Sequence, residues 1–532
     1  MTSPALTRHY LVRGLWDDAC VGHALPTATA RWPHRTALVL GPDRLTFTRL
    51  SARVEAMAAR LRTAGVGTGE HVVVQLPNTV ELVVTVLAAW HVGAVPVPVL
   101  AMYRERELRH VLAATGPAAV VVAGSHGDRR PAGEIAGLLG DLGQAPALRV
   151  VLGDGPAGWE PFPSETRDPT EPATSSPDDC ALVLFTSGTT SAPKGVRHSS
   201  RSLFAEARTY RDGAQLSAAD AVLLPSPVPH IGALVAAALL PSVTGGRTVV
   251  LPRWDADTAA EAGDAEGVTL AVGAPVFLAE LLDRYEHWTA TGRTGHRITR
   301  FHTGAAPTGS TIIRRADAMG IVAWRAWGMT ECPTVTYGGP DDPLELRESR
   351  DGRIEVGTEV RAFDGSGAPL PDGTPGELRL RSPKLMLGYL GGPPGTGLAP
   401  GIDSAGWFTT GDVGVVHPDG WVTIQGRLKD VINRGGEKFA AGEIESVICS
   451  HPDIDSAAVL GVPDPRLGER VAAFVTVRAG HDWPGPDALV AYLDGQRLAR
   501  QKLPVEWRVL AELPRTPTGK IRKNELLAGW DG

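Results

Sequence analysis

The chain reads as an α/β protein: a large N-terminal domain of α/β subdomains, a β-rich subdomain, and a small α+β C-terminal domain. Three patterns predict this. Short β-branched runs alternate with helical runs in the first half, short strands separated by tight turns follow residue 376, and a strand–helix–strand order returns after Gly426. In chain order, Glu70–Leu76 precedes the apolar Leu82–Ala89, and Ala94–Leu100 precedes a helical stretch over Arg104–Leu112. From Pro156 to Asp179, Pro, Ser, Thr, Asp and Glu dominate, which predicts a solvated connector. Ala181–Phe185 (ALVLF) then reads as a buried strand. Gly376–Arg381, Val413–Val416 and Trp421–Ile424 read as strands, the last two joined by the turn Pro418-Asp419-Gly420. A helix over Glu443–Cys449, strands over Ala457–Val462 and Val471–Val477, and a helix over Asp487–Gln496 follow. The boundary is expected near residues 427–430, giving domains 1–428 and 429–532.

Composition narrows the function classes. At 532 residues the chain is too long for one core, and a formal charge of −7 with both signs mixed gives no footprint for nucleic acid. The four cysteines, Cys20, Cys180, Cys332 and Cys449, form no CxxC pair, so a reduced, cytoplasmic setting is expected. No secretory apolar core stands at the N-terminus, and the longest apolar run, Ile231–Leu240, is too short to span a bilayer. Seven lysines stand against 45 arginines. Lysine thus keeps its place where a compact ammonium is needed, which draws attention to Lys194, Lys429, Lys438 and Lys520.

The strongest local signal is Thr186-Ser187-Gly188-Thr189-Thr190-Ser191-Ala192-Pro193-Lys194-Gly195, directly after the predicted strand. Consecutive small hydroxyl residues and Gly let backbone N–H and side-chain O–H groups close around phosphate oxygens, and Lys194 adds charge. Its Pro-Lys-Gly ending is not that of a Walker A loop. Further blocks follow in order: Pro229-His230, Gly304-Ala305-Ala306-Pro307, Trp327-Gly328-Met329-Thr330-Glu331, Gly406-Trp407-Phe408-Thr409-Thr410-Gly411-Asp412, Gly426-Arg427-Leu428-Lys429-Asp430, Asn433-Arg434-Gly435-Gly436-Glu437-Lys438, and Pro514-Arg515-Thr516-Pro517-Thr518-Gly519-Lys520.

On these residues the chain resembles the adenylate-forming superfamily of acyl-CoA synthetases, luciferases and peptide-synthetase adenylation domains. The resemblance implies activation of an acid by ATP and Mg²⁺ to an acyl-adenylate, then transfer to a thiol, with coenzyme A expected as acceptor. It assigns Thr186, Ser187, Gly188, Thr189, Thr190 and Lys194 to phosphate. Gly304, Ala305, Ala306, Pro307, Trp327, Gly328, Met329 and Ile424 go to the nucleotide, with Trp327 against adenine. Thr330 would contact the α-phosphate region, Glu331 would ligate Mg²⁺, and Asp412 and Arg427 would hold the ribose. Thr186, His230, Glu331 and Lys520 are the expected catalytic residues, Lys520 stabilising the transition state in which pyrophosphate leaves. Lys429 is the expected hinge of a mobile C-terminal domain.

The resemblance leaves the acid and its acceptor open. Trp327–Glu331 and Arg104–Leu108 look like ligases for alicyclic or aromatic acids, whereas Asn433–Lys438 resembles stand-alone aryl-acid enzymes that load carrier proteins. Some relatives instead activate nitrite to make a diazo group on an aromatic amine. Where the siderophore enzymes place Asn after the pocket His, this chain has Ile231, so a less polar ring face is expected. The acid pocket is expected to comprise His230, Ile231, Ala233, Gly304 and Cys332. Ser191-Ala192 departs from the usual Gly or Thr of the phosphate loop.

Overall fold

The structure is a computed structural model. It describes residues 4–164, 167–186, 193–293, 298–304, 306, 308–391, 401–434, 437–496, 498–516 and 520–530, with the side chains of 4, 437 and 438 outside that set.

Two α/β units form the first two thirds of the chain. In one, the strands Val95–Pro98, His71–Gln75, Ala119–Ala123, Leu148–Leu152 and Glu160–Pro161 lie side by side in that order, all parallel. The other is a nine-stranded sheet ordered Arg353–Ile354, Cys332–Tyr337, Val322–Met329, Arg300–Thr303, Leu270–Gly273, Ala221–Leu224, Arg247–Val250, Thr36–Leu40, Asp43–Thr46. Its centre is parallel and both ends are antiparallel. Strands such as Val-Val-Val within His71–Gln75 are buried on both faces, as a parallel sheet covered by helices requires.

The helix Phe47–Thr63 follows the 3.6-residue period, burying Phe47, Leu50, Val54, Met57, Ala58 and Leu61, and the Thr46 hydroxyl accepts from Arg49 N to cap its start. It packs on the almost wholly buried helix Val80–His91, which Thr79 caps in the same way. Their core is continuous with that under the nine-stranded sheet, through Ile231, Leu234, Val235 and Trp324.

A four-stranded antiparallel sheet orders Glu359–Phe363, Gly376–Arg381, Phe408–Val416 and Val422–Arg427. A last sheet starts at Val431: Glu437–Ala440, Val431–Arg434, Gly468–Val477 and Ile454–Asp464, with Glu506–Val509 parallel to Gly468–Val477. The helices Ala441–Ile448 and Pro486–Gly495 bury Ile444, Ile448, Leu489 and Leu493 on it, giving this end its own core. The expected order of a large α/β part, a β-rich part and a small α+β part is the observed one. Among the described residues, no helix is long and apolar enough to cross a membrane.

Candidate active site

A small three-stranded sheet carries both ends of the expected phosphate loop. Cys180–Thr186 pairs antiparallel with Lys194–Ser199, so Thr186 stands opposite Lys194, and Gly388–Tyr389 adds to the other edge. Thr186 Oγ1 lies 3.5 Å from the Lys194 carbonyl. Ser187, Gly188, Thr189, Thr190, Ala305 and Pro307 lie outside the described residues. The exposed Lys194 ammonium sits 5.0 Å from the Tyr389 ring centre, and the Tyr389 hydroxyl donates to Glu331 Oε1 at 2.8 Å. Lys194, Tyr389 and Glu331 therefore form one line from the loop to the expected cation ligand.

Thr330 and Glu331 are the two-residue turn of a hairpin between Val322–Met329 and Cys332–Tyr337. The hairpin closes tightly because Gly328 has no side chain: a Cβ there would stand 1.7 Å from the Pro333 carbonyl oxygen. The turn is held from outside as well. His198 Nε2 lies 2.7 Å from the Thr330 carbonyl, and Met386 N donates to the Glu331 carbonyl at 2.8 Å. Burial drives the His198 pKa down to about 4, so the ring is neutral and its Nε2–H donates. The segment bearing Met386 and Tyr389 is anchored by Lys384, 1% exposed, whose Nζ donates to Thr209 Oγ1 at 2.9 Å.

Trp327 and Asp412 meet across two sheets. The indole Nε1 donates to Asp412 Oδ2 at 2.8 Å, while Arg427 Nε lies 3.2 Å from Oδ1. Asp412 and Arg427 are cross-strand partners, a consequence of the register between Phe408–Val416 and Val422–Arg427. Burial pushes the Asp412 carboxyl up from its ordinary value, and Arg427, the Trp327 indole and Lys520 oppose the rise. Ile424, on the Arg427 strand, donates its N–H to Asp351 Oδ2 at 2.8 Å.

Lys520 arrives from the other end of the chain. Its carbonyl accepts from Thr516 N at 2.7 Å and its N–H donates to Thr516 Oγ1 at 3.1 Å. Its pKa falls to about 8, first through burial and then through Arg427, while Asp412 partly restores it. Lys520, Asp412 and Arg427 thus share one electrostatic environment. Lys429 lies beside them in the short turn Leu428–Asp430, its pKa lowered by burial.

His230 is the residue before the helix Ile231–Ala238. Its Nε2 is buried without a hydrogen-bond partner among the described residues, and burial brings its pKa to about 4. Ile231 and Ala233 follow it on that helix, 8% and 7% exposed. Gly304 follows the strand Arg300–Thr303 and packs near the Ala326 carbonyl; Ala306 is half-buried. Cys332 departs from expectation. Its side chain is fully buried with Val196, Val335 and Met386 beneath the four-stranded sheet, and offers no surface to a ligand in this structure. Burial raises its thiol pKa to about 12.

A family model described as "AMP-binding enzyme" matches residues 25–390, and "AMP-binding enzyme C-terminal domain" matches residues 443–520. The chain belongs to the AMP-binding enzyme family. It is 34% identical over 509 residues to sulfoacetate–CoA ligase of Cupriavidus necator, covering 94% of this chain and 95% of that protein. It is 30% identical over 519 residues to the medium-chain fatty-acid–CoA ligase of Escherichia coli, covering 97% and 91%. The crystal structure of ATP-bound MatB from Rhodopseudomonas palustris superposes with a TM-score of 0.84 at 28% identity, covering 96% of this chain and 99% of that one. This AMP-binding family member is an AMP-forming acid–CoA ligase family enzyme, activating an acid with ATP through an adenylate.

His198, Tyr389, Asp351 and Lys384 were not read from the sequence as part of the site. Only Lys384 carried a signal, the scarcity of lysine; the others act through contacts 58 to 132 positions away that no local pattern announces.

Proposed function

We propose that the enzyme joins an aryl or cyclic carboxylic acid to coenzyme A. The observation that carries this reading is His230: a neutral imidazole whose buried Nε2 is unpaired among the described residues, at the start of an apolar helix that continues with Ile231 and Ala233. A neutral N–H there can donate to the acid's carboxylate, while the adjoining side chains offer a ring no hydrogen bond. In the first step a carboxylate oxygen attacks the α-phosphorus of ATP and pyrophosphate leaves. Lys520 neutralises the charge on the transferring group, Asp412 accepts from the ribose hydroxyls, and Arg427 steadies that carboxylate. In the second step a thiolate attacks the acyl carbon and AMP leaves.

Mg²⁺ suits Glu331, a single carboxylate braced by Tyr389 that can share a hard cation with phosphate oxygens, whose charge the cation would offset. Thr186 and Lys194 at the loop ends, and Gly304 and Ala306 opposite the hairpin, would contact the nucleotide. Ser187, Gly188, Thr189, Thr190, Ala305 and Pro307 are proposed for the same role on their motif alone. Coenzyme A is proposed as acceptor because the relatives described above carry it in their names. Lys429 is proposed as the pivot between the two steps.

The test is a pyrophosphate-release panel of small carboxylic acids and nitrite, followed by detection of the coenzyme A thioester. Thioester formation with benzoate, cinnamate or cyclohexanecarboxylate supports the reading. Release with nitrite alone, or transfer only to a carrier-protein thiol, contradicts it.

A further inference from the structure

Against the strand Cys332–Tyr337, just after the turn that carries Glu331, lies a buried cluster of opposite charges centred on Lys384. It is one of seven lysines in a chain with 45 arginines, and it is 1% exposed. Its Nζ donates to Thr209 Oγ1 at 2.9 Å and stands 4.0 Å from Glu355 Oε2. Glu206, one turn before Thr209 on the helix Ser200–Gly213 and wholly buried, feels the same ammonium, and its Oε1 accepts from Thr334 Oγ1 at 2.6 Å. Burial pushes the Glu206 and Glu355 carboxyls up from their ordinary values, and Lys384 opposes the rise in each. A buried charge persists where partners hold it, and a compact ammonium suits the space between two carboxylates and a hydroxyl better than a planar guanidinium.

Lys384 also stands near the start of a strut. Residues 382–390 leave the strand Gly376–Arg381 and end beside the phosphate-loop strand. At the near end, Ser382 Oγ and Thr358 Oγ1 lie 2.9 Å apart, and the Trp16 indole donates to the Pro383 carbonyl at 2.9 Å. At the far end, Met386 N donates to the Glu331 carbonyl at 2.8 Å, while Leu387 N and Leu390 N donate to the Arg197 and Gly195 carbonyls, each at 2.7 Å. Tyr389 lies within that stretch, its hydroxyl on Glu331 Oε1 and its ring centre 5.0 Å from the Lys194 ammonium.

A phenol aims a carboxylate only as well as its own backbone is held. The strut is held at one end by the charge cluster, through the Lys384 ammonium on Thr209, and at the other by the strand Lys194–Ser199. The cluster reaches the hairpin a second time through Glu206 and Thr334, so hairpin and strut are fixed to one helix. Without the ammonium, two carboxylates would remain in the cluster with no cation to offset them, and the near end of the strut would lose its tie to the helix.

We propose that Lys384 is a positioning residue for ATP activation: by pinning residues 382–389 to the helix Ser200–Gly213, it aims the Tyr389 hydroxyl at Glu331 and so sets that carboxylate for the cation that accompanies ATP. Buried as it is, Lys384 acts through Tyr389 and not by touching substrate. Hydrogen bonds that orient a metal ligand contribute to metal affinity much as the ligand itself does. The inference rests on the reading of Glu331 as the cation ligand and adds the buried charge that holds it in place.

The experiment is calorimetric titration of the intact chain with ATP, once with Mg²⁺ and once with EDTA in its place, which needs no turnover. The parent should bind more tightly with Mg²⁺, and Glu331→Gln should remove most of that gain. With Mg²⁺ present, Tyr389→Phe should weaken binding by about tenfold and Lys384→Met by about fivefold or more, while binding in EDTA changes by less than about twofold in both. In the double variant the two losses should not multiply, because both residues act along one line. Thermal unfolding checks that each variant folds. If Lys384→Met does not, Thr209→Val, which removes the hydroxyl that receives the ammonium, replaces it with the same expectation. Equal losses with and without Mg²⁺, or losses that multiply in the double variant, overturn the inference. A Mg²⁺ gain that survives Glu331→Gln removes the cation reading of Glu331, and this inference with it, and leaves acid activation standing.

Discussion

The Trp327 indole donates a 2.8 Å hydrogen bond to Asp412, 85 residues further along the chain. The bond joins the end of the nine-stranded sheet to the four-stranded one, and holds a buried carboxylate in place with the help of Arg427. It also sets a testable dependence. Trp327→Phe keeps an aromatic face but removes one partner of a buried acceptor, at a cost of about 1–3 kcal/mol. The KM for ATP should rise several-fold and the unfolding temperature should fall, measured by steady-state kinetics and calorimetry. An unchanged KM would remove Asp412 from the nucleotide site.

Lys520 gives the pH dependence. Its ammonium is charged below a pKa of about 8, so the charge, and with it adenylation, should be lost as pH rises through that value. Arginine stays charged to about pH 12 or beyond. Acid-dependent ATP–pyrophosphate exchange in the parent should therefore show an alkaline limb near pH 8, which whatever activity remains in Lys520→Arg lacks.

Lys429 stands in the short turn Leu428–Asp430, between the last strand of the four-stranded sheet and the first of the C-terminal one. A hinge absorbs its φ/ψ change over a few residues, and proline fixes φ. Lys429→Pro should leave adenylation largely intact and cut thioester formation by about tenfold or more. Equal loss of both would locate the pivot elsewhere.

Ile231 tests the ring face. Ile231→Asn places an amide in a wall that offers the parent's substrate no hydrogen bond, and an unpaired amide costs about 1–3 kcal/mol. Comparing kcat/KM for benzoate and salicylate in both proteins should show the preference moving towards salicylate in the variant. A parent that already prefers salicylate contradicts the apolar wall.

What the sequence made legible was order and chemistry; what it concealed was contact. Val-Val-Val at 72–74 and the alternation in Gly376–Arg381 announce strands because burial on two faces and on one leave different periods. Hydroxyl, carboxylate and lysine motifs are visible because few residue types can do their work. The hairpin at Thr330-Glu331 is harder to see, since its strands mix Trp, Gly, Met and Pro and owe their pairing to the room at Gly328. Glu506–Val509 was passed over for a related reason: it is short and largely polar, and is a strand through its pairing with Gly468–Val477. Cys332 was expected among the pocket residues, but a residue just after a hairpin turn can face either side. The fold buries it in the core.

The central claim is that a lysine from the C-terminal part completes an acid-activating site built by the N-terminal part. Acid-dependent exchange of labelled pyrophosphate into ATP, compared between the parent and Lys520→Ala, tests it most directly. The account predicts a fall of about 10²–10³-fold or more, the scale for losing a preorganised charge contact, with conversion of a supplied acyl-adenylate to thioester retained. Exchange that persists within a few-fold of the parent, or that needs no acid, would contradict it.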